Sequence, residues 1–174
     1  MSIVHVVDYD PEWAGRGAEA IGELGRVLPG LLAEVEHIGS TAVPGLAAKP
    51  IIDLMAAVAD LDVVARREPD LAEIGYHPHV NGMTDRLLYV RSVGGVRTHI
   101  LHVVTLESWP TRNQRILRDY LRAHPAEAQR YAELKRSIVA ARDYARAKTA
   151  LIQELTDRAR AERGLPSVPV WEKG

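Results

Sequence analysis

The residues best suited to chemistry lie in one run, Glu36-His37-Ile38-Gly39-Ser40-Thr41-Ala42-Val43-Pro44-Gly45-Leu46-Ala47-Ala48-Lys49-Pro50-Ile51-Ile52-Asp53-Leu54. It reads as a strand, a Gly-Ser turn, a short helix or turn, and a buried strand carrying one carboxylate. Gly39 permits close backbone approach to a phosphate, and the Ser40 hydroxyl with the following amides, Thr41 among them, can donate to its oxygens. Asp53 stands alone in the apolar stretch Pro50 to Val58. A carboxylate there is costly to bury unless it is paired or bound to a cation. Turn and acid together describe a site for a phosphate-bearing ligand with Mg²⁺ on Asp53. Each half also has a plainer reading: an ordinary turn, and an Asp at a strand end paired with a Lys or Arg.

Other side chains can complete such a site. His37 precedes the turn and points toward the same ligand in this reading. Lys49 can contact phosphate or cap the short helix at its C-terminal end. Arg86, Arg91 and Arg97 fall on or beside a hairpin, where guanidinium groups can fork onto phosphate, although each alone is an ordinary surface residue. His99 and His102 are three apart, so on a strand they face opposite sides and cannot share one metal. Tyr131/Lys135 and Tyr144/Lys148 are i, i+4 pairs on helix faces. Tyr144 and Lys148 are expected to close the pocket if their face meets the sheet; otherwise the Tyr packs and the Lys reaches water. No Gly-x-x-x-x-Gly-Lys-Ser/Thr, Gly-x-Gly-x-x-Gly or Gly-x-Ser-x-Gly motif occurs.

The run His37 to Asp53 resembles the signature of the GrpB family. The resemblance continues through Tyr9-Asp10-Pro11-Glu12-Trp13, Arg97-Thr98-His99-Ile100-Leu101-His102-Val103-Val104 and Arg118-Asp119-Tyr120-Leu121-Arg122-Ala123-His124-Pro125. It covers roughly residues 5–155. Members of that family occur alone or fused to dephospho-CoA kinase. The resemblance implies a nucleotidyltransferase fold, in which a Gly-Ser turn is combined with Asp-x-Asp on the next strand. Here the position two after Asp53 is Met55. Two carboxylates on one strand face would bridge a pair of Mg²⁺ ions around a triphosphate, and Asp53 alone supplies half of that clamp. His102, on the hairpin strand expected beside that of Asp53, is the candidate replacement; the plainer reading is a hydrogen-bonded sheet histidine. The family's usual second His, at the position of Ile100, is missing.

Two functions follow from this reading. The first is a nucleotidyltransferase-like enzyme using Asp53, Lys49 and His102, with basic residues such as Arg91 neutralising charge. The second is a non-catalytic accessory module that binds a nucleotide or CoA precursor.

The elements that must position these residues follow from hydrophobic spacing. Ile3 to Val7 reads as an edge segment. Asp10-Pro11-Glu12 starts a helix that runs to about Leu28 and stops at Pro29-Gly30. Leu31 to Ile38 leads into the first core strand, with Val35 and His37 on one face and Glu34, Glu36 and Ile38 on the other. Pro50 to Val58 is a central strand. Asp60 caps a helix from Leu61 to Ile74. Tyr76 to Val80 is a short strand before an Asn81-Gly82 turn, and Gly94-Gly95 joins an antiparallel hairpin of Arg86 to Val93 and Val96 to Leu106. From Trp109 the chain is helical, in three pieces: Thr111–Ala123, Pro125–Ala141 and Arg142–Arg163. The tail Gly164 to Trp171 is extended and Pro-rich, with Trp171 available to tack it down.

The expected fold is α+β: a small mixed sheet of about five strands with helices on one side and a helical C-terminal half. It forms one nucleotidyltransferase-like domain over residues 1–163, with residues 164–174 as a tail. The chain's 174 residues suit one core. The core lacks Phe, and the absence of Cys excludes thiolate metal sites and a Cys nucleophile. Neither a signal peptide nor a membrane span is readable, which fits a cytoplasmic protein. With a net charge of −1, nothing global argues for nucleic acid. The charge is uneven, however: acidic residues predominate to Thr111 and basic residues beyond it. Solvated helix faces account for this; the sharper reading is that the basic half leans over an anionic ligand held by the first.

Overall fold

A computed structural model of the chain describes residues 6–80, 82–137 and 141–170, with side chains described in all but residues 141 and 142. The Asn81 half of the expected turn, the first residues of the edge segment and Trp171 lie outside the described residues. Five strands form one mixed sheet: β1 (Glu34–Ile38), β2 (Ile52–Val58), β3 (Tyr76–Pro78), β4 (Leu87–Val93) and β5 (Val96–Thr105). Their spatial order is β1-β2-β5-β4-β3. Only β2 and β5 run parallel; the other neighbours are antiparallel.

The sheet separates two groups of helices. α1 (Glu12–Val27), α2 (Leu61–Ala65) and α3 (Glu68–Glu73) pack on one face. Trp13, Leu24, Val64 and Leu71 meet Leu54, Ala56 and Val58 of β2 and Leu101 and Val103 of β5 there. α4 (Asn113–Ala123), α5 (Pro125–Arg136) and α6 (Ala141–Glu162) form their own cluster with Val43, Leu46 and Ala47 over the other face. On that face Ile38, Met55, Ala57 and Val104 pack with Trp109. β2 is therefore apolar on both faces, as befits a strand paired on both sides and covered above and below. The helices expected on one side are α1–α3, and the helical C-terminal half takes the opposite face.

Local chemistry explains most boundaries. The Asp10 carboxylate accepts from the Glu12 amide at 2.9 Å and the Asp60 carboxylate from the Asp62 amide at 2.9 Å, so both act as helix caps. The helix expected from Leu61 to Ile74 is two short ones, because Pro69 cannot donate to a continuous ladder and instead sits in the first turn of α3. Val7 makes an isolated bridge to Ala48, with both amides bonded at 3.0 Å, which ties the N-terminal edge to the segment before β2. The tail lies along α6, where the Gln153 side chain bonds Val168 O at 3.0 Å and accepts from the Val170 amide at 2.8 Å. No described helix is long and apolar enough to cross a membrane.

Candidate functional site

The site grows from one contact. Asp53 is the half-buried second residue of β2, between buried Ile52 and Leu54, paired with Ile38 on β1 and Ile100 on β5. Gly39 follows Ile38 directly, with φ 74° and ψ −174°, a backbone region open essentially to glycine alone. A Cβ built there would lie 2.5 Å from Asp53 Oδ2. The carboxylate thus rests on the glycine, and the chain then turns through a short 3₁₀ helix, Ser40–Ala42.

Two sets of bonds hold that turn. The Thr41 hydroxyl donates to Ile51 O at 3.1 Å, so its oxygen accepts from His37 Nε2 at 2.8 Å. This assigns the imidazole proton to Nε2 and leaves Nδ1 against Gly17 of α1. Burial first, then the charges of Arg122, Arg118 and His99, push the His37 pKa down to about 4. From the other face α4 grips the backbone. Arg118, 7% exposed, donates to His37 O at 3.0 Å and pairs with Glu36 at 2.8 Å. Arg122 donates to Ala42 O at 2.9 Å, and Arg115 pairs with Glu36 at 3.0 Å while stacking on Trp109. Burial raises the Glu36 carboxyl, but the two arginines outweigh it and hold it below the usual carboxylate range.

Between this turn and the C-terminal helices lies a cavity of about 350 Å³. Gly39, Ser40, Thr41 and Asp53 form one wall; Lys135, Tyr144 and Lys148 come from α5 and α6 on the other. Lys135 Nζ bonds Ser40 Oγ at 2.5 Å and lies over the Tyr131 ring at 4.3 Å. Lys49 also lines the cavity. Burial and the nearby charges of Lys148 and Arg97 lower its pKa, while Asp53 acts in the opposite direction. The result is one carboxylate among several ammonium groups around a serine turn. Chemically this suits an anion with several oxygens, such as a phosphate chain.

The structure brings Gly39, Ser40, Thr41, Lys49, Asp53, Tyr144 and Lys148 together as the sequence suggests. Four candidates are elsewhere. His37 lies on the opposite sheet face and supports Thr41 rather than a ligand. Arg91 is on that same opposite face, paired with Glu23 at 3.1 Å and over the Tyr76 ring, so it cannot neutralise charge in this cavity. His102 is on the face of Asp53, but the parallel register sets it beside Met55, two residues further along. Its Nδ1 meets the Arg86 guanidinium at 3.2 Å in an adjoining cavity. Arg97 is exposed at the start of β5 and reaches the site only through its charge. Met55 is fully buried in the core.

Sequence reasoning left out Arg118 and Gln114, which also border the cavity, and gave Lys135 less weight than Lys148. Lys135 had a signal in its i, i+4 spacing to Tyr131. Arg118 had one too, as a charged residue amid the buried positions of an amphipathic helix. Among the described residues no three His, Cys, Asp or Glu groups gather closely enough to hold a metal. Asp53 could carry one Mg²⁺ that takes its other ligands from phosphate and water. The donor set does not fit a bridged pair of ions.

Comparison with known proteins gives a consistent picture. The model of a family described as GrpB protein matches residues 3–158. The UPF0157 protein YqkA of Bacillus subtilis is 35% identical over 79% of the chain, which spans 40% of that relative. A UPF0157 protein of Halalkalibacterium halodurans is 33% identical over 91% of the chain and 83% of its own length. The crystal structure of the conserved protein GrpB from Enterococcus faecalis superimposes with a TM-score of 0.80 at 30% identity, covering 92% of this chain and 99% of that one. The GLD-2/RNP-8 complex superimposes with a TM-score of 0.55 at 12% identity, covering 97% of this chain and 75% of its own. At that identity the likeness concerns the fold alone, a mixed five-stranded sheet with helices on both faces.

Proposed function

The chain belongs to the GrpB family, and from that premise we propose that its cavity binds the phosphate chain of a nucleotide. The observation that carries this reading is the convergence of Lys49, Lys135 and Lys148 on the Gly39-Ser40 turn and Asp53. The lysines neutralise phosphate charge, and the Ser40 hydroxyl, now bonded to Lys135, turns to the ligand. Asp53 would hold a single Mg²⁺ against the phosphates, where the ion would supply further charge neutralisation. Tyr144 and Lys148, on α6, close the cavity over the ligand.

Transfer chemistry on such a scaffold is mostly positioning and electrostatic stabilisation. This chain's contribution to a nucleotidyl transfer is the lysine cluster and the fixed Asp53 carboxylate. One observation favours a second reading, binding without transfer: Met55 fills the core where a second carboxylate would stand. In that case the protein is an accessory module for a nucleotide or a CoA precursor.

Thermal-shift titration with the four nucleoside triphosphates and with dephospho-CoA, with and without Mg²⁺, separates these readings. Ligand at a hundred times its Kd stabilises the native state by about 2.7 kcal/mol. Stabilisation that requires Mg²⁺ and is lost in Asp53→Asn supports the enzyme-like site. Stabilisation independent of Mg²⁺ but lost in Lys135→Met supports the accessory module. A folded protein that responds to none of these anions contradicts both.

A further inference from the structure

Beside the phosphate cavity lies a larger one of about 590 Å³, sharing Ile100, Gln114 and Leu117 as a common wall. Its size suits a small organic ligand. Three guanidinium groups border it: Arg86, Arg112 and Arg160. Arg86 and Arg112 share a single carboxylate, Asp85, at 3.0 and 2.6 Å. Among the described residues Arg160 has no such partner. It is 5% exposed. Its Nε donates to Pro166 O at 2.6 Å, and its Nη1 to Thr111 O at 3.2 Å and Asn113 Oδ1 at 2.8 Å. All three acceptors are neutral, and Nη2 bonds no described residue. A buried guanidinium held only by neutral oxygens attracts an anion, because no described carboxylate lies within ion-pair distance of its charge.

A second observation points the same way. Thr156 sits one turn before Arg160 on the same face of α6 and also borders the cavity. It is 1% exposed, and its hydroxyl has no hydrogen-bond partner among the described residues. A buried hydroxyl left without a bond is destabilising, and a ligand acceptor would recover that loss. Leu88, Leu117, Ile152 and Val168 supply apolar wall.

We propose that this second cavity binds a small organic carboxylate with an apolar body, the carboxylate taken by Arg160 Nη2 and the Thr156 hydroxyl. Two donors match the two oxygens of a carboxylate, and the apolar walls match its chain. The proposal stands on this cavity alone and goes beyond the phosphate reading. Where both hold, the carboxylate ligand and the nucleotide lie side by side across Ile100 and Leu117.

Hexanoate, hexanol and hexyl phosphate are the probes, titrated into the full chain by thermal shift. Hexanoate should raise the melting temperature saturably, hexanol should not, and hexyl phosphate should act more weakly. The hexanoate response should persist in saturating tripolyphosphate, which would occupy the lysine cavity. Arg160→Gln should weaken hexanoate at least tenfold, as expected for a lost charge-assisted bond. Thr156→Val is isosteric and keeps the fold if Arg160→Gln does not. It should raise the melting temperature without ligand and weaken hexanoate about threefold or more. The proposal is overturned if hexanoate gives no shift, if Thr156→Val leaves hexanoate binding unchanged, if tripolyphosphate abolishes the response, or if hexyl phosphate binds as tightly as hexanoate.

Discussion

At the scale of single residues, the site depends on two atoms that leave no room. Gly39 combines a glycine-only backbone conformation with the Asp53 carboxylate 2.5 Å from where a Cβ would stand. Gly39→Ala should cost at least about 2 kcal/mol in urea denaturation, because strain and overpacking add. Gly45→Ala is the control: φ is +81° but nothing lies within 4 Å of the added Cβ, so it should cost about 1 kcal/mol. His37 makes the second point. Its folded pKa, about 4 against an ordinary 6.5, means that the unfolded chain binds more protons between those values. Its contribution to stability is complete above pH 6.5 and disappears as the pH falls toward 4. His37→Gln, whose amide can still donate to Thr41, should show a shallower loss of stability across that window in pH-dependent denaturation. That Asp53 and the Gly-Ser turn lie together was legible in the sequence, since a lone acid in an apolar strand is itself a signal. The role of His37 was half legible. Alternation set it with Val35 against Ile38, yet only the β1–β2 register shows that its face is not that of Asp53.

At the scale of elements, α4 is the clamp. Arg115, Arg118 and Arg122 lie on successive turns and reach Glu36, His37 O and Ala42 O, so one helix fixes both ends of the Gly39-Ser40 turn. Arg118→Met should cost about 2–3 kcal/mol by chemical denaturation, since it leaves a carbonyl unpaired and Glu36 with Arg115 alone. Arg163→Met removes the 2.8 Å pair with Asp119, whose two side chains are over one third exposed, and should cost under about 1 kcal/mol. Strands, hairpin and most helix ends could be read from the sequence, because periodicity and capping are local. Pro69 splits α2 from α3, a local signal that the longer apolar spacing obscured. The clamp could not be read, because its partners are some 80 residues apart and charge pairs leave no periodic trace. Arg91 was misplaced for a related reason: strand alternation groups it with Leu87 and Tyr89, but which face they take depends on pairing with β5 and packing against α1.

At the scale of the whole molecule, the sheet is covered on both faces, and the cavity is the gap left where α5 and α6 stand off from the start of β2. The acidic first half and the basic second half meet there. The lysines come from the second half and the turn from the first, apart from Lys49. The half in which basic residues predominate thus faces the turn across the cavity. The most direct test is an amide NMR titration with ATP and Mg²⁺, in the wild type and in Lys135→Met. The account predicts saturable shifts centred on the Gly39, Ser40 and Thr41 amides, much reduced in the variant and weakened by added salt. Saturable shifts that leave those three amides unmoved, or that are unchanged by Lys135→Met, would contradict it.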